Sequence, residues 1–157
     1  MNVLVSINDH YVNQLIVMLN SLFTHNKCRI DVYLMYGSLS ENSIYKIRLF
    51  VSKNGNRLHA IKIEESLFKN APKRTHTSIE TYYRLLAFQI LDDGIDRILY
   101  LDSDMLITGS LEKLYMTDLR GKCFAGVPDY GINNLYPVQK RIIGMQQKYQ
   151  YINAGML

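Results

Sequence analysis

Long apolar runs are missing from this 157-residue chain. The best candidate, Leu15 to Phe23, is interrupted by Asn20 and Ser21 and falls well short of the ~18 residues that span a bilayer, so no membrane-spanning helix is expected. A basic n-region is missing as well, and the apolar run after Met1 stops at Ile7, so no secretory signal peptide is expected. Cysteine is scarce. Cys28 and Cys123 lie far apart, with neither a CxxC pattern nor a histidine at ligand spacing, which argues against a zinc site or a disulfide framework and fits a cytoplasmic protein. Internal repeats, low-complexity tracts and linker-like stretches are also lacking, so solenoids and strings of domains are excluded.

What is present is 48% hydrophobic and 20% charged, the balance of one globular domain over residues 1–157 rather than of a disordered, collagenous or coiled-coil chain. Eighteen Lys and Arg against fourteen Asp and Glu leave a net charge of +4, which admits a phosphate-rich ligand, a nucleic acid or peripheral contact with an anionic membrane face. The densest basic patch, Lys69 to His76, carries Lys69, Lys73 and Arg74. It interleaves no aromatic residues for base stacking, so nucleic-acid binding is not expected.

Strand and helix periodicities alternate along the chain. Asn2 to Ile7 reads as a strand, and the helix after it sets Leu15, Met18, Leu19 and Leu22 on one face. Ile30 to Tyr36 is a second strand. The following helix has Ser38 and Glu41 as a capping box, Ile44, Ile47 and Val51 on its buried face, and Gly55 as its stop. Arg57 to Ile63 is the third strand. Ser78 is expected to cap a helix from Ile79 to about Leu91, with an apolar stripe of Ile79, Tyr82, Leu86 and Ile90 and with Arg84 off its centre. Arg97 to Leu101 is the fourth strand, Cys123 to Val127 a further one, Val138 to Ile143 a short helix and Tyr151 to Leu157 a last strand. Strands separated by helices make an α/β fold with a mostly parallel sheet, in which ligands bind beyond the carboxyl ends of the strands. Because the chain stops inside an expected strand, it is expected to be the amino-terminal part of a longer protein.

At one such end a buried-type strand, Ile98 to Leu101, runs straight into Asp102-Ser103-Asp104. In extended backbone, side chains at i and i+2 project to the same side, and two adjacent carboxylates repel each other. A hard divalent cation relieves that repulsion and keeps open positions for phosphate oxygens, so Asp102 and Asp104 are candidate Mn²⁺ or Mg²⁺ ligands; a solvated acidic turn is the plainer reading. An EF-hand loop starting at Asp102 would need Gly and Glu where Ile107 and Lys113 stand. A phosphatase of the haloacid-dehalogenase type, the weaker enzyme alternative, places its Asp-x-Asp after the first strand and expects Thr or Val where Leu106 stands.

Four segments in order carry a resemblance: the first strand with its polar loop ending in Tyr11; Thr81-Tyr82-Tyr83-Arg84-Leu85; Leu-Tyr-Leu-Asp-Ser-Asp with Gly109 and Leu111 behind it; and Tyr151-Ile152-Asn153-Ala154-Gly155. The chain resembles the amino-terminal part of a family 8 glycosyltransferase, the retaining nucleotide-sugar enzymes that include bacterial lipopolysaccharide galactosyl- and glucosyltransferases and the glycogenins. That resemblance implies a GT-A fold, a UDP-hexose donor (galactose or glucose), a glycan or lipid-linked acceptor, and a Mn²⁺ ion at Asp102 and Asp104. It implies uracil and ribose binding by Ser6, Asn8 and Tyr11, and sugar or diphosphate contacts from Arg84, Ser103, Asp129, Asn153 and Ala154. Many relatives carry an acid where this chain has Asn8, so either Asn8 or the neighbouring Asp9 would face the base. No catalytic nucleophile stands out, which leaves a donor-binding module without turnover as the non-enzyme alternative.

Overall fold

The computed structural model describes residues 1–68, 71, 78–92, 94–136 and 138–157; Lys69, Lys73, Arg74 and the rest of the basic patch up to His76, apart from Ala71, lie outside the described residues. The chain divides into two compact units, Met1–Thr117 and Asp118–Leu157.

The first unit is built on a parallel sheet. Strands β1 (Asn2–Ser6), β2 (Asp31–Tyr36), β3 (Arg57–Lys62) and β4 (Leu99–Tyr100) lie in the order β3-β2-β1-β4, with Val3 opposite both Val32 and Leu99. Strand β1 is central and covered on both faces, which explains why Val3, Leu4 and Val5 are consecutive buried residues rather than an alternating pattern. Helix α1 (Val12–His25) buries Leu15, Met18, Leu19 and Leu22, the stripe its 3.6-residue period predicts. Each of these side chains contributes roughly 1.5–3 kcal/mol through removal from water.

Helix α2 (Glu41–Lys53) starts two residues later than the expected capping box. Ser40, extended at φ −66° and ψ 149°, is the N-cap, and its Oγ accepts from the Ser43 backbone N–H at 3.3 Å. Glu41 is therefore the first helical residue, where its charge favours the positive end of the helix instead of closing a box with Ser38. Ile47 and Val51 are buried as expected, Ile44 is half-buried, and Gly55 ends the segment with φ +74°, a conformation glycine adopts without cost.

The segment after Ser78 departs further from expectation. It is a 3₁₀ helix, Ile79–Leu86, followed by one α turn, α3 (Ala87–Ile90), and the Ser78 side chain makes no capping bond. A 3₁₀ helix eclipses residues three apart, so Glu80 and Tyr83 are buried, with Ala87 buried at the start of α3, instead of the stripe Ile79, Tyr82, Leu86 and Ile90. Strand β4 is shorter than expected, although Leu101 N–H still bonds to Leu4 O at 3.0 Å. A short helix α4 (Glu112–Tyr115) follows it.

In the second unit β5 (Val127–Pro128) pairs antiparallel with β6 (Ile152–Asn153), and a short helix α5 (Val138–Ile142) lies between them in sequence. The longer strands expected over Cys123–Val127 and Tyr151–Leu157 contract to this two-residue ladder for local reasons. Past Pro128 a single bond, Asp129 N–H to Tyr151 O at 2.8 Å, continues it, and at the other end Asn153 Oδ1 accepts from Gly155 N–H at 2.9 Å, bending the chain away. Gly126 has no side chain because a Cβ there would meet Leu157 Cδ2 at 3.0 Å and Ile152 Cδ1 at 3.1 Å. Cys28 and Cys123 are free thiols. No described helix is long and apolar enough to cross a membrane.

Candidate active site

In the order β3-β2-β1-β4, the chain leaves β1 toward β2 on one side while β4 lies on the other, which opens a crevice at the carboxyl ends of β1 and β4. A pocket of about 590 Å³ sits there, within the size range of nucleotide sites. It brings together Ser6, Asn8, Tyr11, Arg84, Asp102, Ser103 and Asp104, the residues of the first unit that the sequence nominates apart from the alternative Asp9, and adds Ile7, Ser78, Glu80, Thr81 and Tyr100.

Asp102 is tightly held. Its Oδ1 accepts from the Tyr100 hydroxyl at 2.6 Å and from Arg84 Nη2 at 3.1 Å. Since the Tyr100 proton is committed to Asp102, Ser6 Oγ, 3.3 Å away, donates to the Tyr100 oxygen. The Arg84 guanidinium lies 4.1 Å above the Tyr100 ring, and its Nε donates to Thr81 O at 2.9 Å. Only 10% of the Arg84 side chain is exposed, so this arginine belongs to the pocket wall and not to a solvated helix face. Asp104 is exposed, and both its oxygens and Asp102 Oδ2 make no hydrogen bond among the described residues.

Burial, reinforced by the hydrogen bond to Asp102, pushes the Tyr100 phenol well above its ordinary pKa. A phenol raised in the folded state contributes stability that is complete below its unfolded pKa of about 10 and is lost as pH climbs toward the folded value. Tyr100→Phe is therefore expected to cost about 1 kcal/mol near neutral pH through the lost bond to Asp102, and to flatten the fall in melting temperature above about pH 10. Thermal scans of both proteins from pH 7 to 11 test this, and parallel alkaline limbs would refute it.

Also on the pocket wall, Asn8 caps the 3₁₀ turn Asp9–Tyr11: its Oδ1 accepts from His10 N–H at 3.1 Å. Its Nδ2 faces Glu80 Oε2 at 3.4 Å. Asp9 turns away. It accepts from the Ser40 N–H and hydroxyl, and its side-chain hydrogen bond with Ser43 is the largest of the contacts that hold its carboxyl below the usual range. Of the two candidates for the base-facing position, it is Asn8 that lines the pocket.

Asp129, Asn153 and Ala154 belong to the second unit. Asp129 Oδ1 accepts from Ile132 N–H at 2.8 Å, fixing the wide helical turn Gly131–Leu135, and Asn153 Nδ2 reaches Asp129 Oδ2 at 3.4 Å.

The sequence reading missed Tyr100 and Glu80. Tyr100 was detectable, because it stands two residues before Asp102 and an extended chain puts both on one side. Glu80 was not, because the 3.6-residue stripe assigned to that segment turned it outward.

The donor set fits a hard divalent cation, since Asp102 and Asp104 offer only oxygens and one carboxylate is already fixed in orientation. Among the described residues no group of three or more His, Cys, Asp or Glu converges, so these two carboxylates would provide part of a coordination shell completed by ligand oxygens.

An open parallel sheet with a polar crevice at its switch point and paired carboxylates on the crevice wall is the architecture of an α/β protein that takes its ligand at the carboxyl ends of its strands. The chain belongs to Glycosyl transferase family 8, whose sequence profile matches residues 2–157. It is 26% identical to the lipopolysaccharide 1,2-glucosyltransferase of Escherichia coli strain K12, over 100% of this chain and 46% of that protein. It is 24% identical to glycosyltransferase GlyF of Streptococcus pneumoniae serotype 4, over 99% of this chain and 35% of that protein. The fold matches the crystal structure of galactosyltransferase LgtC in complex with donor and acceptor sugar analogues, with a TM-score of 0.91, 27% identity, and coverage of 99% of this chain and 56% of that one. The GT-A fold expected from the sequence is thus the fold observed. The chain spans about half the length, or less, of the curated relatives it matches.

Proposed function

We propose that the pocket binds a UDP-hexose and that the chain supplies the donor half of a hexosyltransferase, which moves glucose or galactose to a glycan or lipid-linked acceptor with retention. The observation that carries this reading is the polarity of the crevice. One pocket gathers paired carboxylates and a buried arginine together with an amide and a tyrosine ring suited to a base. Asp102 and Asp104 would hold Mn²⁺ or Mg²⁺, which when bound supplies positive charge to the diphosphate leaving group.

This chain's own residues do the rest. Tyr100 and Arg84 fix one oxygen of Asp102, which leaves the other directed by geometry instead of by solvent. The Arg84 guanidinium sets a charge beside the carboxylates in a largely water-excluded wall, where it favours an anionic ligand. Tyr11, 41% exposed, has a ring available to stack on a planar base. The net charge of +4 favours an acceptor presented on an anionic membrane face, and a cytoplasmic location follows from the cytoplasmic pool of nucleotide sugars that such an enzyme draws on.

Calorimetric titration with UDP-glucose and UDP-galactose in Mn²⁺, paired with an assay of UDP release, tests the proposal. Micromolar binding of one donor with slow release of UDP is expected. Binding with no release in any acceptor mixture would identify a donor-binding module without turnover, and no binding would remove the donor reading.

A further inference from the structure

We infer that Glu80 selects the base of the donor, accepting the imide N–H of a uracil ring beside Asn8; this rests on the UDP-sugar reading and goes beyond it. Glu80 is only 5% exposed, yet it lines the pocket. A buried carboxylate offers about four acceptor positions and is costly to leave underpaired. Among the described residues Glu80 receives a single long hydrogen bond, 3.4 Å from Asn8 Nδ2, and forms no ion pair. A side chain held in so poor an environment without ligand gains partners when one binds.

The position narrows what that partner is. A diphosphate is drawn to Arg84 and to a cation held by Asp102 and Asp104, and it is repelled by a third carboxylate, so Glu80 on the same pocket wall is left to the nucleoside. Asn8 Oδ1 already accepts from His10 N–H, so it is a weaker remaining acceptor than the carboxylate beside it. Asp9 is engaged too, because its oxygens hold Ser40. What remains is an acceptor, Glu80 Oε, beside a donor, the second Nδ2 hydrogen of Asn8. That pair complements the edge of uracil, where an N–H adjoins a carbonyl oxygen. Cytosine presents the reverse order, a ring nitrogen lone pair next to an amino group, and would set the lone pair against the carboxylate. A ribose diol would take both carboxylate oxygens, whereas Glu80 Oε2 already meets Asn8 Nδ2.

The test compares UDP, CDP, N3-methyl-UDP and 2′-deoxy-UDP as competitors for donor binding to the full-length protein in Mn²⁺, for wild type and Glu80→Gln. Wild type is expected to prefer UDP over CDP and over N3-methyl-UDP by roughly ten- to a hundredfold, the scale of a hydrogen bond to a charged group. In Glu80→Gln, whose amide can turn to donate to the cytosine ring nitrogen, the preference over CDP is expected to shrink to about threefold or less. The ligand-free melting temperature of the variant should stay level or rise, because neutralising an underpaired buried carboxylate removes a cost; a purely structural role would lower it. An unchanged UDP-to-CDP ratio in Glu80→Gln overturns the inference. So does a variant that loses only its discrimination against 2′-deoxy-UDP, which would make Glu80 a ribose contact. If wild type binds no uridine nucleotide, the donor reading falls together with this one, whereas tight UDP binding with an unaltered ratio removes Glu80 alone.

Discussion

Replacing either carboxylate of the Asp-x-Asp turn, by Asp102→Asn or Asp104→Asn, is expected to erase the stabilisation that Mn²⁺ and UDP confer together. A ligand at about a hundred times its dissociation constant adds about 2.7 kcal/mol to a protein that binds it only when folded. For a chain of this size that is a rise in melting temperature of roughly 5–10 °C. Cation and diphosphate complete each other's coordination, so each alone should give a small fraction of that rise in wild type. Neither variant should show the joint effect, and transfer should fall by at least about a hundredfold.

The two variants should differ without ligand. Asp104 is exposed and makes no hydrogen bond among the described residues, so Asp104→Asn should melt where wild type does. Asp102 receives charge-assisted bonds from Tyr100 and Arg84, and an amide weakens both, so Asp102→Asn should melt a few degrees lower. If both variants keep the full joint shift, the carboxylates are not the metal site.

Much of the first unit was legible because its signals are local. Buried parallel strands are continuous apolar runs, and Val3 to Val5 or Leu99 to Leu101 could be read as such. Asp102 and Asp104 stood out because charge follows that burial without a turn residue between. The 79–91 segment misled because Ile79, Tyr82, Leu86 and Ile90 fit a 3.6-residue stripe, whereas the three-residue stripe runs through Glu80 and Tyr83. Backbone geometry chose the second, burying Glu80 and Tyr83. The ladder between β5 and β6 joins residues 127–128 to 152–153, a pairing set by packing around Gly126 that no local pattern records. The cap of α2 shifted for a smaller reason. Ser38 and Ser40 are chemically equal candidates, and the Asp9 carboxylate, distant in sequence, engages the N–H and hydroxyl of Ser40.

Arg84 is where loss of geometry and loss of charge can be separated. Its guanidinium meets Asp102 Oδ1, Thr81 O and the Tyr100 ring at once, a set that only a planar fork can satisfy. Arg84→Ala removes the countercharge of Asp102. Breaking a fully buried pair costs 3–5 kcal/mol, but 36% of the Asp102 side chain is exposed and solvent screens it, so about 1–3 kcal/mol is expected here. Donor turnover should drop by about a hundredfold or more, since among the described residues the anionic ligand then meets two carboxylates with no cationic side chain on the pocket wall. Arg84→Lys keeps the charge but cannot bond Thr81 O and Asp102 together, so it should melt within about 1 kcal/mol of wild type while losing about tenfold or more in kcat. Steady-state rates of UDP release with saturating Mn²⁺, alongside melting curves, give both quantities. If the lysine variant turned over at the wild-type rate, Arg84 would act through charge alone, and the fixed orientation of Asp102 would have no part in the reaction.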